Sequence, residues 1–446
     1  MLVAILALSL GLAWGPQARA ADRISLIRDA EIESTIRSYA APLFEAANLG
    51  SDAVSIHLVN DGRINAFVAG GLNLFINTGL IEASDTPNEI IGVIAHEIGH
   101  IEGGHLIRRQ EAVENATAEA ILAMVLGAVV SAAGGGQAGG VIMQSGTDIA
   151  QAGLLRYTRT QESSADQAAV RYLDATGQSA RGLLELFHKL EDQDLLSSSR
   201  QSPYLRTHPL TRERMSFVEH HVAQSRFSDA PDPPERVEAH RRMVAKLVGF
   251  LEPQATVFKL YPTTDTSVPA RYARAVIYHR LVDLPNALKE VDSLIAEAPD
   301  DPYFHELKGQ ILFEQGKVKE SVAPYQRAAE LAPNQPMIRH ELGRALIEAG
   351  GDQSLPLAIE NLKVAAAAEP TYPSHWHFLG VALGRHGEQA ESSLAFAEAA
   401  ILTGRGPEAR FHAERALAGL EAGTPQWMRA QDIINEADNR KTAADR

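Results

Sequence analysis

The chain has 446 residues, 45% of them hydrophobic and 22% charged, which is ordinary for a globular protein and enough material for two or three cored domains. Its formal charge of -15 excludes a general nucleic-acid binder, because phosphate recognition calls for a basic face. There is no cysteine, so no disulfide holds the chain together, and packed cores must do so instead.

The first twenty residues read as an export signal. Leu2 to Trp14 is largely apolar, and Ala18-Arg19-Ala20 supplies small residues for cleavage after Ala20, so the expected destination is the bacterial periplasm. No Lys or Arg precedes the apolar stretch, so the positive start rests on the terminal amine. No later apolar run reaches the roughly 18 residues needed to span a bilayer. Residues 24–49 carry helical spacing at Ile27, Ile32, Ile36, Ala40 and Leu43, which predicts a packing helix pair. Ala53 to Val59 alternates as a strand, Asn60-Asp61-Gly62 supplies a turn, and a hairpin or short meander is expected to follow. Residues 65–80 read as a second strand region with Leu72, Leu74 and Ile76 on one face. Two readings of it stand side by side: an edge whose free backbone groups pair with an extended substrate, or an ordinary half-buried strand.

His96-Glu97-Ile98-Gly99-His100 follows, inside a run that starts a helix. Thr86 suits the N-cap, Pro87 the first helical position, and Glu89 completes a capping box. Ile91, Ile94, Ala95, Ile98 and Ile101 then mark a buried face. Residues four apart share one side of a helix, which brings the imidazoles of His96 and His100 to one divalent ion, with zinc as the expected occupant. Glu97 is placed as general base toward a water at that ion rather than as a ligand. Residues 119–150 hold a strongly apolar run, Ile121 to Val130, that leads into a glycine-rich loop. This predicts two helices that cover the cleft, touch a membrane surface, engage a partner, or form a plain core hairpin.

Two histidines leave zinc short of three protein ligands. His105 is one residue short of the place where the metzincin pattern has its third histidine, which is Leu106 here. Glu162 is the better candidate, and Asp166 lies one helical turn beyond it, so one carboxylate can bind metal while the other holds a ligand imidazole.

In this order, Asn65-Ala66-Phe67 with Gly70-Gly71 and Gly79-Leu80, then His96-Glu97-Ile98-Gly99-His100, then Arg159 with Glu162 and Asp166, then His208-Pro209-Leu210-Thr211-Arg212-Glu213-Arg214, the chain resembles one gluzincin group. That group is the HtpX and CAAX prenyl protease family, peptidase family M48, in its secreted form with a C-terminal helical-repeat domain. The resemblance implies zinc ligands His96, His100 and Glu162, Glu97 as general base, and Asp166 as the residue that orients the site. It also implies that His208 either lies over the zinc or stabilises the oxyanion, and that Arg214 belongs to the same His-Pro motif. An imidazole and a guanidinium both suit a developing negative charge.

In the C-terminal part Pro299, Pro333 and Pro370 end successive helical segments, and Gly309, Gly343 and Gly380 recur at one offset. The period is close to that of tetratricopeptide repeats, roughly 34 residues. Gly350 to Gln353 accounts for an insertion, Tyr272, Ala275, Tyr278 and Ala287 mark a weaker preceding unit, and residues 409–437 read as a capping pair. The expected fold is mostly α (α+β), a gluzincin-type zinc protease domain with a small sheet followed by an α-solenoid. The expected division is a signal peptide over 1–20, protease over 21–245 and repeats over 246–446. Stacked repeats present a concave surface to proteins. The expected activity is a periplasmic zinc endopeptidase and chaperone acting on misfolded or stalled proteins, and the resemblance sets it in outer-membrane protein assembly, with the machinery engaged by the repeats. The alternative is a repeat-based chaperone or scaffold with a latent, self-covered zinc site.

Overall fold

The structure, a computed structural model, describes residues 25–50, 53–105, 158–194 and 202–444. The expected export signal and the apolar hairpin over 119–150 lie outside the described residues. The N-terminal part is built around one buried helix. Strands β1 (Leu26–Ile27), β2 (Ser55–Val59), β3 (Ala66–Ala69) and β4 (Asn73–Asn77) form a sheet in the order β1-β2-β4-β3. Its helices are α1 (Ala30–Ala46), α2 (Thr78–Ala83) and α3 (Pro87–Glu102), then α4 over residues 158–175, α5 (Arg181–Asp194), α6 (Pro203–Thr207) and α7 (Arg212–Gln224).

Several expectations change here. Residues 24–49 make a short strand and one helix rather than a helix pair, because the apolar spacing of Ile32, Ile36 and Leu43 runs straight through Pro42 and buries one continuous face. The expected hairpin after β2 does not form. β2 pairs in parallel with β4, and the hairpin joins β3 to β4 through Gly70-Gly71, both with positive φ. The second strand region is therefore two strands, and β3 is the edge. His57, Phe75 and Phe67 sit opposite one another in register and stack across β2, β4 and β3, with ring centroids 4.8 and 4.9 Å apart.

Helix α3 is buried from Pro87 to His100 on all sides, not along one stripe. Pro87 does open it, but Thr86 makes no side-chain cap. Glu89 instead accepts from the Asp85 amide and from Lys189, at 2.7 Å for its nearer oxygen. Ile90, Ile94, Leu74, Ile76, Leu183 and Phe187 meet around α3 in the main core.

Helix α8 (Pro234–Leu251) follows, then α9 (Gln254–Leu260), α10 (Val268–Arg280), α11 (Leu284–Glu297), α12 (Pro302–Glu314), α13 (Val318–Leu331), α14 (Pro336–Ala349), α15 (Leu355–Ala368), α16 (Pro373–His386), α17 (Gln389–Leu402), α18 (Gly406–Leu417) and α19 (Pro425–Ala444). From α10 onward they pack as successive antiparallel pairs, an α-solenoid. The recurring glycines share one job: a Cβ at Gly309, Gly343 or Gly380 would run into Tyr325, Leu362 or Phe396 of the second helix of the same pair. Gly350 to Gln353 forms a connection with a short 3-10 turn.

Helix α8 bridges the two parts, and the boundary expected at residue 245 falls inside it. Its Leu247 joins the main core while Ala245 and Val248 pack with Ala273 and Ile277 of α10. The start of α1 is gripped by the repeats. Ala30 belongs to a repeat core, and Lys246 lies 2.7 Å from Asp29 and 3.5 Å from Glu31. Arg242 bridges Glu31 and Asp301 at 2.7 and 2.6 Å, and the Tyr272 hydroxyl donates to Glu31. Further out, Arg28 pairs with Glu369 at 2.7 Å and lies over the Tyr372 ring.

Lys246 is the keystone of that network, with its side chain 2% exposed. Lys246→Ala leaves Asp29 and Glu306 without their cation and Glu31 with Arg242 alone, so unfolding in urea should show a loss of about 3–5 kcal/mol. Wild-type stability in that variant would show that the buried pairs contribute nothing net.

Candidate metal centre

Four ligand-capable side chains, His96, His100, Glu162 and His208, place one atom each within 4.8 Å of one another, all buried. Two come from α3, one from α4 and one from the residue that ends α6. The reach from α3 to α4 depends on Gly99. A Cβ there would lie 2.8 Å from the Ala165 carbonyl oxygen and 3.0 Å from its Cα, so only glycine lets α4 come close enough for Glu162 and Asp166 to face the histidines.

His96 Nε2 lies 3.1 Å from His100 Nε2 and 3.3 Å from Glu162 Oε2, and His100 Nε2 lies 3.5 Å from Glu162 Oε1. Each imidazole is held from behind. Asp166 Oδ1 is 2.9 Å from His96 Nδ1, and His105 Nδ1 is 3.0 Å from His100 Nδ1. Both histidines therefore turn Nε2 to the same point.

Arg214 fixes the acid pair. It donates to both oxygens of Asp166, at 2.6 and 2.9 Å, lies 3.0 Å from Glu162 Oε2, and donates to the Pro209 carbonyl at 3.1 Å. Expected as a donor to developing charge, this guanidinium is instead engaged behind the ligands. His208 stands in front: its Nδ1 is 3.2 Å from Glu162 Oε2 and 3.4 Å from His96 Nε2, and its Nε2 is 3.4 Å from Glu97 Oε1. The Tyr204 ring backs it at 4.8 Å.

The electrostatics follow from burial. Burial holds the His100 imidazolium down at about 3, so this ring is neutral, as a ligand must be. Burial also works against His96, but Asp166 and Glu162 hold it up at about 9. Burial would raise Asp166, yet Arg214 keeps it at about 2, and burial of Glu162 is outweighed by His208, His100 and His96. Glu97 goes the other way: burial lifts it against the pull of His208 and His96. Both Glu97 oxygens are buried and, among the described residues, neither accepts a well-formed hydrogen bond, with His208 Nε2 the 3.4 Å neighbour of Oε1. The donor set, two nitrogens and a carboxylate with a third imidazole beside them, fits a zinc-like ion.

A cavity of about 300 Å³ opens onto the cluster, lined by Glu97, His100, Glu162, His208 and, from the edge strand side, Asn65, Phe67 and Val68. His105, set aside above as a third ligand, lines it too and acts on His100 from the far side. The Gly103-Gly104 turn is the signal for it: Gly104 has φ +59, and a Cβ on Gly103 would collide with the folded-back His105 ring.

Residues 27–222 match peptidase family M48, and residues 309–350 match a TPR repeat. The chain carries an M48 metalloprotease domain. It is 25% identical over 418 residues to the beta-barrel assembly-enhancing protease of Yersinia pestis, which covers 92% of this chain and 84% of that one. The protein of the same name from Escherichia coli (strain K12) is 26% identical over 420 residues, with the same coverage. Metalloprotease LoiP of Escherichia coli is 26% identical over 171 residues, 38% of this chain and 64% of its own. The M48 domain thus spans the sheet and α1 to α7, and the similarity to the longer relatives runs on through the repeats.

Asp166→Asn removes the anion that holds both His96 and Arg214. Metal affinity, read by competition with a chromophoric chelator, should fall roughly 10–100-fold. Unchanged affinity would mean that Asp166 does not orient the ligand.

Proposed function

We propose that this chain is an exported zinc endopeptidase, organised as a signal peptide over 1–20, then a protease and a repeat domain that share helix α8 at their junction. The observation that carries the reading is the buried convergence of His96, His100 and Glu162 beside the buried carboxylate of Glu97. His96, His100 and Glu162 would hold the ion, with Asp166, Arg214 and His105 fixing their directions. When bound, the ion supplies the Lewis acidity that polarises a peptide carbonyl and makes water a competent nucleophile.

The chain's own groups do the rest. Among the described residues β3 is a sheet edge beside the cavity, and its outer backbone can add an extended substrate strand and so fix the scissile carbonyl. Glu97 takes the proton from water as oxygen bonds to the carbonyl carbon. It then returns that proton to the amide nitrogen as the C–N bond breaks, leaving a carboxylate and an amine. Phe67, at the end of the aromatic stack, gives the cavity wall an apolar surface for a substrate side chain.

His208 supports a second layer to the reading. Its contacts with Glu97, Glu162 and His96 put it where an attacking water and a substrate carbonyl would sit, which favours a resting site that covers itself. In its fullest form this is the alternative function, a repeat-based chaperone with a latent site. The names of the full-length relatives, beta-barrel assembly-enhancing proteases, support outer-membrane β-barrel assembly as the setting and misassembled proteins as substrates, with the repeats engaging the machinery. The apolar leader supports a periplasmic location. Among the described residues no helix is long and apolar enough to cross a membrane.

Glu97→Gln should keep fold and metal and lower cleavage of an unfolded protein such as reduced casein by roughly 10²–10⁴-fold. Equal turnover by that variant removes the general-base assignment. His208→Ala should raise cleavage if the imidazole covers the ion. A fall would assign His208 to transition-state stabilisation, and no cleavage by either protein would favour the chaperone.

A further inference from the structure

A second and larger cavity, about 800 Å³, lies away from the metal cluster where the end of α2, helix α8 and the first repeat meet. One wall is apolar. Val244 and Val248, a turn apart on α8, face Tyr261, Val268 and Leu260, the last left 54% exposed at the rim. The other wall is acidic, with Glu82, Asp85, Glu238 and Glu297 against a single arginine, Arg241.

Not all of that charge is available. Asp85 is engaged by Lys189 at 2.7 Å, and Glu297 by Arg271. Glu82 is different: among the described residues no cation lies within ion-pair distance of it, and burial together with nearby Glu252 lifts its carboxyl to about 7. A carboxylate left in this condition gains from any cation delivered to it. A second group is also short of a partner. His240 is 1% exposed and lines the same cavity. Its Nε2 lies 3.2 Å from the Ser84 carbonyl oxygen, which makes Nε2 the donor and leaves Nδ1 as an acceptor, and that Nδ1 is buried with no hydrogen bond.

We propose that this junction cavity is a binding site for an extended polypeptide segment in which one arginine or lysine is flanked by apolar residues. The cationic head meets the Glu82 carboxylate, a donor N–H reaches His240 Nδ1, and the neighbouring apolar side chains cover Val244, Val248 and Leu260. A concave site of this volume admits a drug-sized ligand or a few residues of unfolded chain and excludes the surface of a folded partner. The substrate class suits a protease that takes its clients unfolded. The site stands on its own residues, though, and does not depend on the metal.

The test is fluorescence anisotropy on the full chain carrying Glu97→Gln, so that nothing is cleaved. The probes are labelled heptapeptides of leucine and alanine with a central Arg, Gln or Glu. The Arg peptide should bind at least fivefold tighter than the Gln peptide, and the Glu peptide weakest. Glu82→Gln should erase the preference for Arg while leaving the Gln peptide's affinity unchanged, and Glu82→Lys should abolish binding of the Arg peptide. Because Glu82 is an uncompensated acid, Glu82→Gln should keep or raise the Tm at pH 8, which separates lost binding from lost fold. Equal affinity for all three peptides, no binding, or an Arg preference that survives Glu82→Gln would each overturn the site.

Discussion

Everything at the metal cluster depends on how near two helices can come. The backbones of α3 and α4 meet at Gly99 and Ala165, and the missing Cβ at Gly99 sets the separation. His96 and His100 lie one turn apart on the first helix, and Glu162 and Asp166 one turn apart on the second. At this separation the four side chains interleave: Glu162 reaches both Nε2 atoms while Asp166 reaches around to His96 Nδ1. The motif marks the two histidines, but this one glycine brings Glu162 within reach of them.

Charge balance then explains the layering. Glu97, Glu162 and Asp166 are all buried, and Arg214 is the one guanidinium among them. Such a group carries surplus negative charge, and burial makes that expensive unless cations are close. Arg214 neutralises Asp166. A divalent cation at the cluster would settle the remaining charge more completely.

What was legible in the sequence follows the reach of local rules. His96-Glu97-Ile98-Gly99-His100 needs only helical geometry, and the repeats announce themselves because Gly309, Gly343 and Gly380 each answer the same packing demand at one spacing. Glu162 could be proposed by chemistry, since zinc needs a third ligand, whereas His208 enters only through the family resemblance of the His-Pro motif. The sheet was harder. β2 pairs with β4 rather than with its chain neighbour, and alternation along a strand records which face is buried but not which strand lies beside it. His105 falls at the wrong spacing for a metzincin ligand, and that spacing does not show that it meets His100 instead. The role of Arg214 was similarly hidden, since a buried guanidinium that braces two carboxylates reads in sequence like one that faces substrate.

The least legible feature is the grip of the repeats on α1, because its partners lie more than two hundred residues apart. Asp29 and Glu31 read as ordinary acidic residues at a helix start. In the structure Asp29 caps α1 by accepting from the Ile32 amide and also meets Lys246, while Glu31 is nearly buried among Lys246, Arg242 and Tyr272. Helix α1 packs on α3, the helix of His96 and His100, and α8 enters the same core through Leu247. The repeats are therefore attached to the site helix through two packed helices rather than through a flexible tether. A protease fragment cut at residue 245 would lose Lys246, the partner of Asp29, the Tyr272 hydroxyl that donates to Glu31, and the cover over Ala30. The two functions suggested by the sequence, a hydrolase and a repeat scaffold, share one core at this junction, and neither half can be described as a free-standing module.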